Sequence, residues 1–443
     1  MAVAAPLFVE NALKDNLDAP PGHRFRLYFD GWVWKGKTLV LDDQQKKLGL
    51  AKAARIDVKG EAARALDALR ARQMYLAQDD GAAIHTIDAV STAPFVTGVG
   101  MEHPLENGFA FFDPHGLPYL PGSGIKGVIR RAAEELALHE VDSKGWTIGA
   151  VWALFGFDGS GSYLAKKNGP AVDAFREHLS RTDRRSFAWF ETLFRDALAE
   201  DPQGPLTLAD LPGSNTVKKI HYRGGLEFWD SYPKPNGDLR ADVITPHFGH
   251  YFGGRKNPTD NNNPTPIYFL TIPPGACFAF HVRLSHAAKV PAEIARSWRG
   301  LVEAAFMHAF EWLGFGAKTG AGFGALERDE GAARKRSEER AKAEEERRQR
   351  DEAERAEARK TEEQALLAKL SPLERLCRDL ESAGEQRIDE IYRQNLMALS
   401  VDDQIRLGRS LKGAYIRIGK WTKEVSKKQK EKVATIKKIL GEQ

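Results

Sequence analysis

The chain has 443 residues, 28% of them charged, yet a formal net charge of only +4. That length predicts two or three domains, and a 42% hydrophobic content supplies ample core material. Cys277 and Cys377 lie far apart, which argues against a disulfide framework or a zinc site; the opening MAVAAPLFVE lacks the basic flank and apolar run of a signal peptide, and no apolar run is long enough to span a bilayer, so a cytoplasmic protein without membrane contact, metal or cofactor is expected.

Residues 1–83 form an N-terminal segment. It combines an aromatic stretch, FRLYFDGWVW, with a helical Ala/Arg-rich run, EAARALDALRARQMYLAQ. From residue 84 the pattern becomes mixed α and β. AIHTIDAVSTAPFVTGVG reads as a strand and a turn, and NGFAFFDPHGLPYLPG as a hairpin turning at Asp113, Pro114, His115 and Gly116. SGIKGVIRRAAEELAL reads as a helix, because Ile125, Val128, Ile129, Ala132 and Leu136 recur at helical spacing. Ser123 is placed to be its N-cap. Residues 157–219 are polar and Gly-rich and read as an insertion, with a helical patch at SFAWFETLFRDALAE. Strands follow at GGLEFWDSYP and CFAFHVRLSH, separated by a loop rich in Asn, Pro and Gly. A second helix, AEIARSWRGLVEAAFMHAFEWL, ends in the glycine-rich GFGAKTGAGFGALE. Strand, helix, strand, strand, helix, strand is the ferredoxin-like (RRM-like) split arrangement. The expected fold class is therefore α+β, with one such domain over 84–328.

The composition changes at Asp329. EGAARKRSEERAKAEEERRQRDEAERAEARKTEEQ has no large apolar residue, and opposite charges recur three and four apart, which supports a solvated helix. Roughly 35 helical residues reach about 50 Å, so 329–366 is expected to be a semi-rigid spacer. Without an apolar heptad seam it is not expected to form a coiled coil. Residues 367–443 read as a small helical domain with a basic end. From Lys412 to Lys438 ten Lys and Arg stand against Glu424 and Glu431, an electrostatic footprint.

Two glycine-rich loops carry lysines. GFGAKTG is not a phosphate-binding P-loop: the positions that need glycine hold Ala317 and Trp312, and the loop follows a helix rather than a strand. GSGIKG likewise lacks Gly-Lys-Ser/Thr. Tight-turn geometry alone can explain such glycines. A glycine turn at a helix N-terminus also offers free N–H groups to phosphate, with Lys126 and Arg130 on one helix face. Contacts of this kind read backbone rather than base identity.

GLPYLPGSGIKGVIRR resembles the PxIPGSSLKGxxR segment of the RAMP superfamily, the RNA-binding subunits of CRISPR effector complexes. Where that family often has two serines, this chain has Ser123 and Gly124. GFGAKTGAGFGAL resembles the family's C-terminal glycine-rich loop. GGLEFWDSYP and ADVITPHFGHYF resemble the pattern of the sixth-subunit family of the type III-B Cmr complex, with Asp230, Pro233, Asp242, Pro246, His247, Tyr251 and Phe252 in its places and Ser231 where it has Ala. The resemblance covers about Ile84 to Leu326.

It implies a non-catalytic RNA-binding subunit in antiviral defence. Its partners would be guide RNA, target RNA and other Cmr subunits: the backbone RAMP subunit, the small helical subunit and the other capping RAMP subunit. The implied RNA-binding residues are Ser123, Gly124, Lys126, Arg130, Arg131, His247, Lys318, Thr319, Gly320 and Gly322. Two alternatives stay open: a metal-independent endoribonuclease using one of His103, His115, His247 or His250 as acid or base, and a protein–protein adaptor. Trp32, Trp34, Trp229 and Trp312 can stack on bases, but core packing is the expectation for each.

Overall fold

A computed structural model describes residues 19–29, 31–54, 60–79, 83–105, 107–138, 144–181, 194, 204–205, 207–245, 266–285, 290–421 and 426–442. The chain divides into two compact units, 1–338 and 339–443.

The first unit opens with helix α1 (Pro21–Arg26), a hairpin of β1 (Trp32–Lys35) and β2 (Thr38–Leu41), helix α2 (Asp43–Ala53) and helix α3 (Glu61–Asp79). Asp42 caps α2, its carboxylate accepting from the Gln44 and Gln45 amides. Then come β3 (Ile84–Ser91), the short hairpin β4 (Phe111–Phe112) and β5 (Leu117–Pro118), helices α4 (Gly122–Leu138) and α5 (Ile148–Phe155), β6 (Phe157–Asp158) and helix α6 (Pro170–Arg181). Strands β7 (His221–Tyr222), β8 (Leu226–Phe228), β9 (Arg240–Ile244), β10 (Ile267–Thr271) and β11 (Cys277–Leu284) lead to helix α7 (Ala292–His308), a π-helical turn (Ala309–Leu313) and β12 (Leu326–Arg328).

The central sheet has the order β12-β3-β11-β8, every pair antiparallel. Alternation sends Ile87 and Ala89 to one face together with their register partners Phe280 and Phe278. There they join Ile125, Ile129 and Leu136 of α4 and Trp298, Val302 and Phe306 of α7 in one buried cluster. Phe280 sits between Phe306 (5.2 Å) and Phe315 (5.1 Å). Described residues between 157 and 219 belong to this core as well. Phe157, Leu164, Phe175, Leu208 and Val217 are buried in the same cluster as Trp152.

The second sheet face carries Thr86, Asp88 and His281, all polar. It is covered from within the chain. Arg70 of α3 donates to the Tyr232 and Cys277 carbonyls (2.5 and 3.1 Å), and Gln73 to the Asp230 carbonyl (2.7 Å). Arg336 forms a two-point ion pair with buried Asp88. An aromatic-lined open sheet of the kind RRM domains use to stack bases is therefore absent among the described residues.

Arg336 belongs to helix α8 (Glu330–Lys369), and the boundary between the units falls inside that helix. Its later turns are solvated and carry i,i+4 pairs such as Arg340–Glu344 (3.0 Å) and Arg348–Glu352 (3.4 Å). The second unit continues with α9 (Pro372–Ser382), α10 (Glu385–Asn395), α11 (Val401–Arg417) and α12 (Lys427–Leu440). Ser371 and Glu374 make a reciprocal capping box for α9, while Ser400 and Ser426 cap α11 and α12. Leu380, Ile388, Ile391, Leu407, Leu411, Tyr415 and Ile436 form its core. The Tyr415 hydroxyl donates to Asp389 (2.7 Å), which also pairs with Lys432 (2.5 Å).

Candidate nucleic-acid interface

Helix α4 starts at Gly122, so Ser123 is not the N-cap that its residue type suggested. Asp230, just beyond β8, takes that role from a distance, its Oδ1 accepting from the Gly122 amide at 2.7 Å. A β-carbon at Gly122 would lie 2.2 Å from the Phe228 carbonyl oxygen. This glycine therefore lets the helix start press against β8, and one of the amides offered to an anion is already occupied by a carboxylate. Ser123 is left exposed in the first turn.

Gly124 and Gly127 behave differently. Both are exposed. A β-carbon at Gly124 would make only an ordinary contact with Leu120 (3.6 Å), and one at Gly127 would meet nothing within 4 Å. Neither has positive φ. Glycine inside a helix costs about 1 kcal/mol relative to alanine, and nothing within the described fold requires it at 127. One face of α4 is thus bare backbone open to approach from outside.

Lys126 borders that face, with no ion pair among the described residues. Its ammonium is held below the ordinary lysine value, first by loss of water, then by the charges of Arg130 and Arg223. Arg223, in the turn between β7 and β8, was not picked out from the sequence, because a lone arginine beside two glycines carries no motif. Arg130 and Arg131 are paired within the helix, to Glu134 (2.9 Å) and Glu135 (2.7 Å). Such i,i+4 pairs are worth only about 0.3–0.5 kcal/mol, so a phosphate can replace the carboxylate partner. Glu135 also meets His308 at 2.9 Å, tying α4 to the end of α7. It stays more acidic than usual despite burial, through its bonds to His308 and Arg131.

The second glycine loop is folded around buried Phe315. Backbone bonds from Phe315 to Gly324 (2.8 Å), Ala317 to Val96 (2.7 Å) and Gly324 to Pro94 (2.8 Å) close it. Gly316 and Gly324 have φ of +86° and +74°, and β-carbons there would strike Val96 and Phe315 carbonyl oxygens at 2.2 and 1.9 Å. These two are needed by the fold. Gly320 and Gly322 project into open space, Gly322 with φ +88°. Lys318 adopts a left-handed conformation (φ +59°) that is unusual for a side-chain-bearing residue. Its Nζ lies 5.0 Å from the Phe269 ring centre. Thr319 is half-buried beside it.

Of the histidines weighed as acid–base groups, His103 stacks on Phe25 at 3.8 Å and is bonded to the Phe25 carbonyl and the Leu105 amide. Burial pushes its pKa down. It is a packing residue. His115 is exposed beside Phe112. His247 and His250, with Pro246, Tyr251 and Phe252, lie outside the described residues. Two histidine–carboxylate pairs that the sequence did not announce, His85–Glu303 (2.9 Å) and His308–Glu135, each share their carboxylate with an arginine. No group of residues suited to a metal ion occurs among the described residues. The tryptophans correct the core-packing expectation in part. Trp32 packs on the core and Trp229 lies 5.5 Å from His281, but Trp34 and Trp312 are 65% and 69% exposed.

Comparison with known proteins places these elements. A family model described as the RAMP superfamily matches residues 89–327. A curated relative, the CRISPR system Cmr subunit Cmr6 of Pyrococcus furiosus, is 30% identical over 253 residues, 52% of this chain; the chain spans 64% of that relative's length. A type III-B Cmr-β complex bound to cognate target RNA includes a chain with 16% identity, a TM-score of 0.36 and coverage of 65% of this chain and 69% of its own. The crystal structure of Cmr6 from Pyrococcus furiosus gives 24% identity, a TM-score of 0.24 and coverage of 56% and 98%. The family assignment rests on the matched residues rather than on these overlays. With more than half of its length matched, including both glycine loops, the chain belongs to the RAMP superfamily.

Proposed function

We propose that this chain is a non-catalytic, RNA-binding subunit of a type III-B CRISPR effector that works in the cytoplasm. It would hold guide RNA and the guide–target duplex by backbone contacts, beside the backbone RAMP subunit, the small helical subunit and the other capping RAMP subunit. In this reading base pairing supplies sequence specificity and the protein reads shape and charge. The fold would be ferredoxin-like over 84–328, a reading supported by the antiparallel order β12-β3-β11-β8 with α4 and α7 as its two crossover helices. Residues 1–83 would pack on that domain, 329–366 would serve as spacer and 367–443 as a basic helical domain.

The observation that carries the RNA reading is the bare face of α4. Gly124 and Gly127 leave backbone exposed at the expense of helix stability, next to a cation, Lys126, that no carboxylate among the described residues neutralises. The path would continue through Ser123, Arg130 and Arg131, through Lys318, Thr319, Gly320 and Gly322, and through His247. The adaptor reading gains from the internal pairing of Arg130 and Arg131, which leaves less free charge than the sequence suggests.

Charge reversal at Lys126 and Arg130 decides between them. The double variant is expected to weaken binding to RNAs of unrelated sequence by similar factors and to flatten the salt dependence. Unchanged affinity and slope would remove α4 from the RNA path. Cleavage of RNA in EDTA by the purified chain would revive the endoribonuclease.

A further inference from the structure

The hairpin β1–β2 lies before the residues matched by the family model. Trp32 and Trp34 are two apart on β1 and share a face. Trp32 packs against the core, whereas burial fades along the strand until Trp34, Lys35, Gly36, Lys37 and Thr38 all stand in solvent. Trp34 faces Leu39 and Lys35 faces Thr38 across the ladder. Gly36 and Lys37 form the two-residue turn, with glycine (φ +66°) at its first position and nothing within 4 Å of where its side chain would begin.

Burial of an indole is a large source of stability, and here a 65% exposed indole brings the fold little of it. Among the described residues Trp34, Lys35 and Lys37 have no side-chain hydrogen bond, ion pair or ring contact. Helix α2 packs on β1 and on the ribbon β9–β10. Lys47 of α2 lies 5.3 Å from the Tyr268 ring, while Phe269, on the opposite face of β10, meets Lys318 and Phe323 of the glycine loop.

From this placement we infer that the β1–β2 tip is an additional single-stranded RNA contact, in which Trp34 stacks on a base and Lys35 and Lys37 meet the flanking phosphates. It rests on the RNA-binding reading above. An aromatic flanked by lysines suits a base flanked by phosphates, whereas lysine is depleted from protein–protein interfaces.

The test uses the full chain and labelled 20-nucleotide single-stranded and duplex RNAs at low salt. Trp34→Ala is expected to weaken single-strand binding about tenfold, within the range for loss of one stacked base. Duplex binding should change little, and Trp34→Phe should restore most of the affinity. Lys35→Glu with Lys37→Glu should reduce the log–log salt slope by about 1.4, two single-strand contacts' worth. If RNA binding falls on charge reversal at Lys126 and Arg130 but not in either hairpin variant, this inference fails and the α4 reading stands. If the wild-type chain binds no RNA, both fail. If Trp34→Ala keeps its RNA affinity and loses a co-purifying protein, the tip is a protein contact and the inference is overturned.

Discussion

Replacing Gly127 by alanine separates the needs of the fold from those of a ligand. The new methyl meets nothing within 4 Å, and the residue lies inside a 17-residue helix without positive φ. Helix propensity alone then predicts stabilisation of about 1 kcal/mol. In a unit of this size that raises the melting temperature by about 1.4 °C. The same methyl occupies the space through which RNA backbone would approach, so affinity should fall about tenfold, equivalent to about 1.4 kcal/mol. Thermal melting and fluorescence anisotropy on one preparation measure both effects. A variant that is more stable and binds RNA as tightly as the wild type would refute the assignment of this face. A variant without added stability would refute the claim that Gly127 has no internal role.

Three further outcomes are expected. Gly316→Ala should lose more than about 1 kcal/mol, because alanine there needs left-handed backbone and strikes the Val96 carbonyl, whereas Gly320→Ala should melt within about 0.5 kcal/mol of wild type yet weaken RNA binding; equal stability in the two would contradict the division of the loop. His281 is buried and its pKa is pushed down to about 3, first by loss of water and then by Arg336 and Arg70. Its contribution to stability is therefore whole above pH 6.5 and is lost at about 1.4 kcal/mol per unit as pH falls toward 3, since only the unfolded chain takes up the proton; urea unfolding at pH 7, 6 and 5 should show a shallower dependence in His281→Gln. Finally, a chain ending at Glu338 should melt above one ending at Asp329, which keeps β12 but lacks Arg336, a loss of about 3–5 kcal/mol for a broken buried pair; equal melting temperatures would mean the Asp88–Arg336 pair has no structural weight.

The strands and helices around the central sheet were legible because their apolar residues repeat with the right periods. Ile125, Ile129 and Leu136 on α4 and Phe278, Phe280 and Val282 on β11 are examples, and all are buried. Burial of Phe157, Phe175 and Val217 was not legible, since they are scattered among polar residues without a period. The two glycine loops were visible as motifs, but composition could not separate glycines required by the fold (Gly122, Gly316, Gly324) from those facing open space (Gly127, Gly320). That distinction depends on the Phe228, Val96 and Phe315 carbonyls, which come from elsewhere in the sequence. Arg223 escaped notice for the same reason. Its charge reaches Lys126 only once β8, which follows its turn, packs on α4.

The cover over the second sheet face bears on where this protein can be divided. The family match begins at residue 89, which invites excision of a domain starting near Ile84. Such a piece would lose Arg70 and Gln73, and with them the donors to the Tyr232, Cys277 and Asp230 carbonyls. It would also uncover Tyr232, which packs with Ala62 and Leu66 of α3. The boundary recognised by sequence similarity therefore falls inside a folding unit. A fragment cut there would present unpaired carbonyls and fresh apolar surface to water, and its tendency to aggregate would say nothing about the stability of the intact protein.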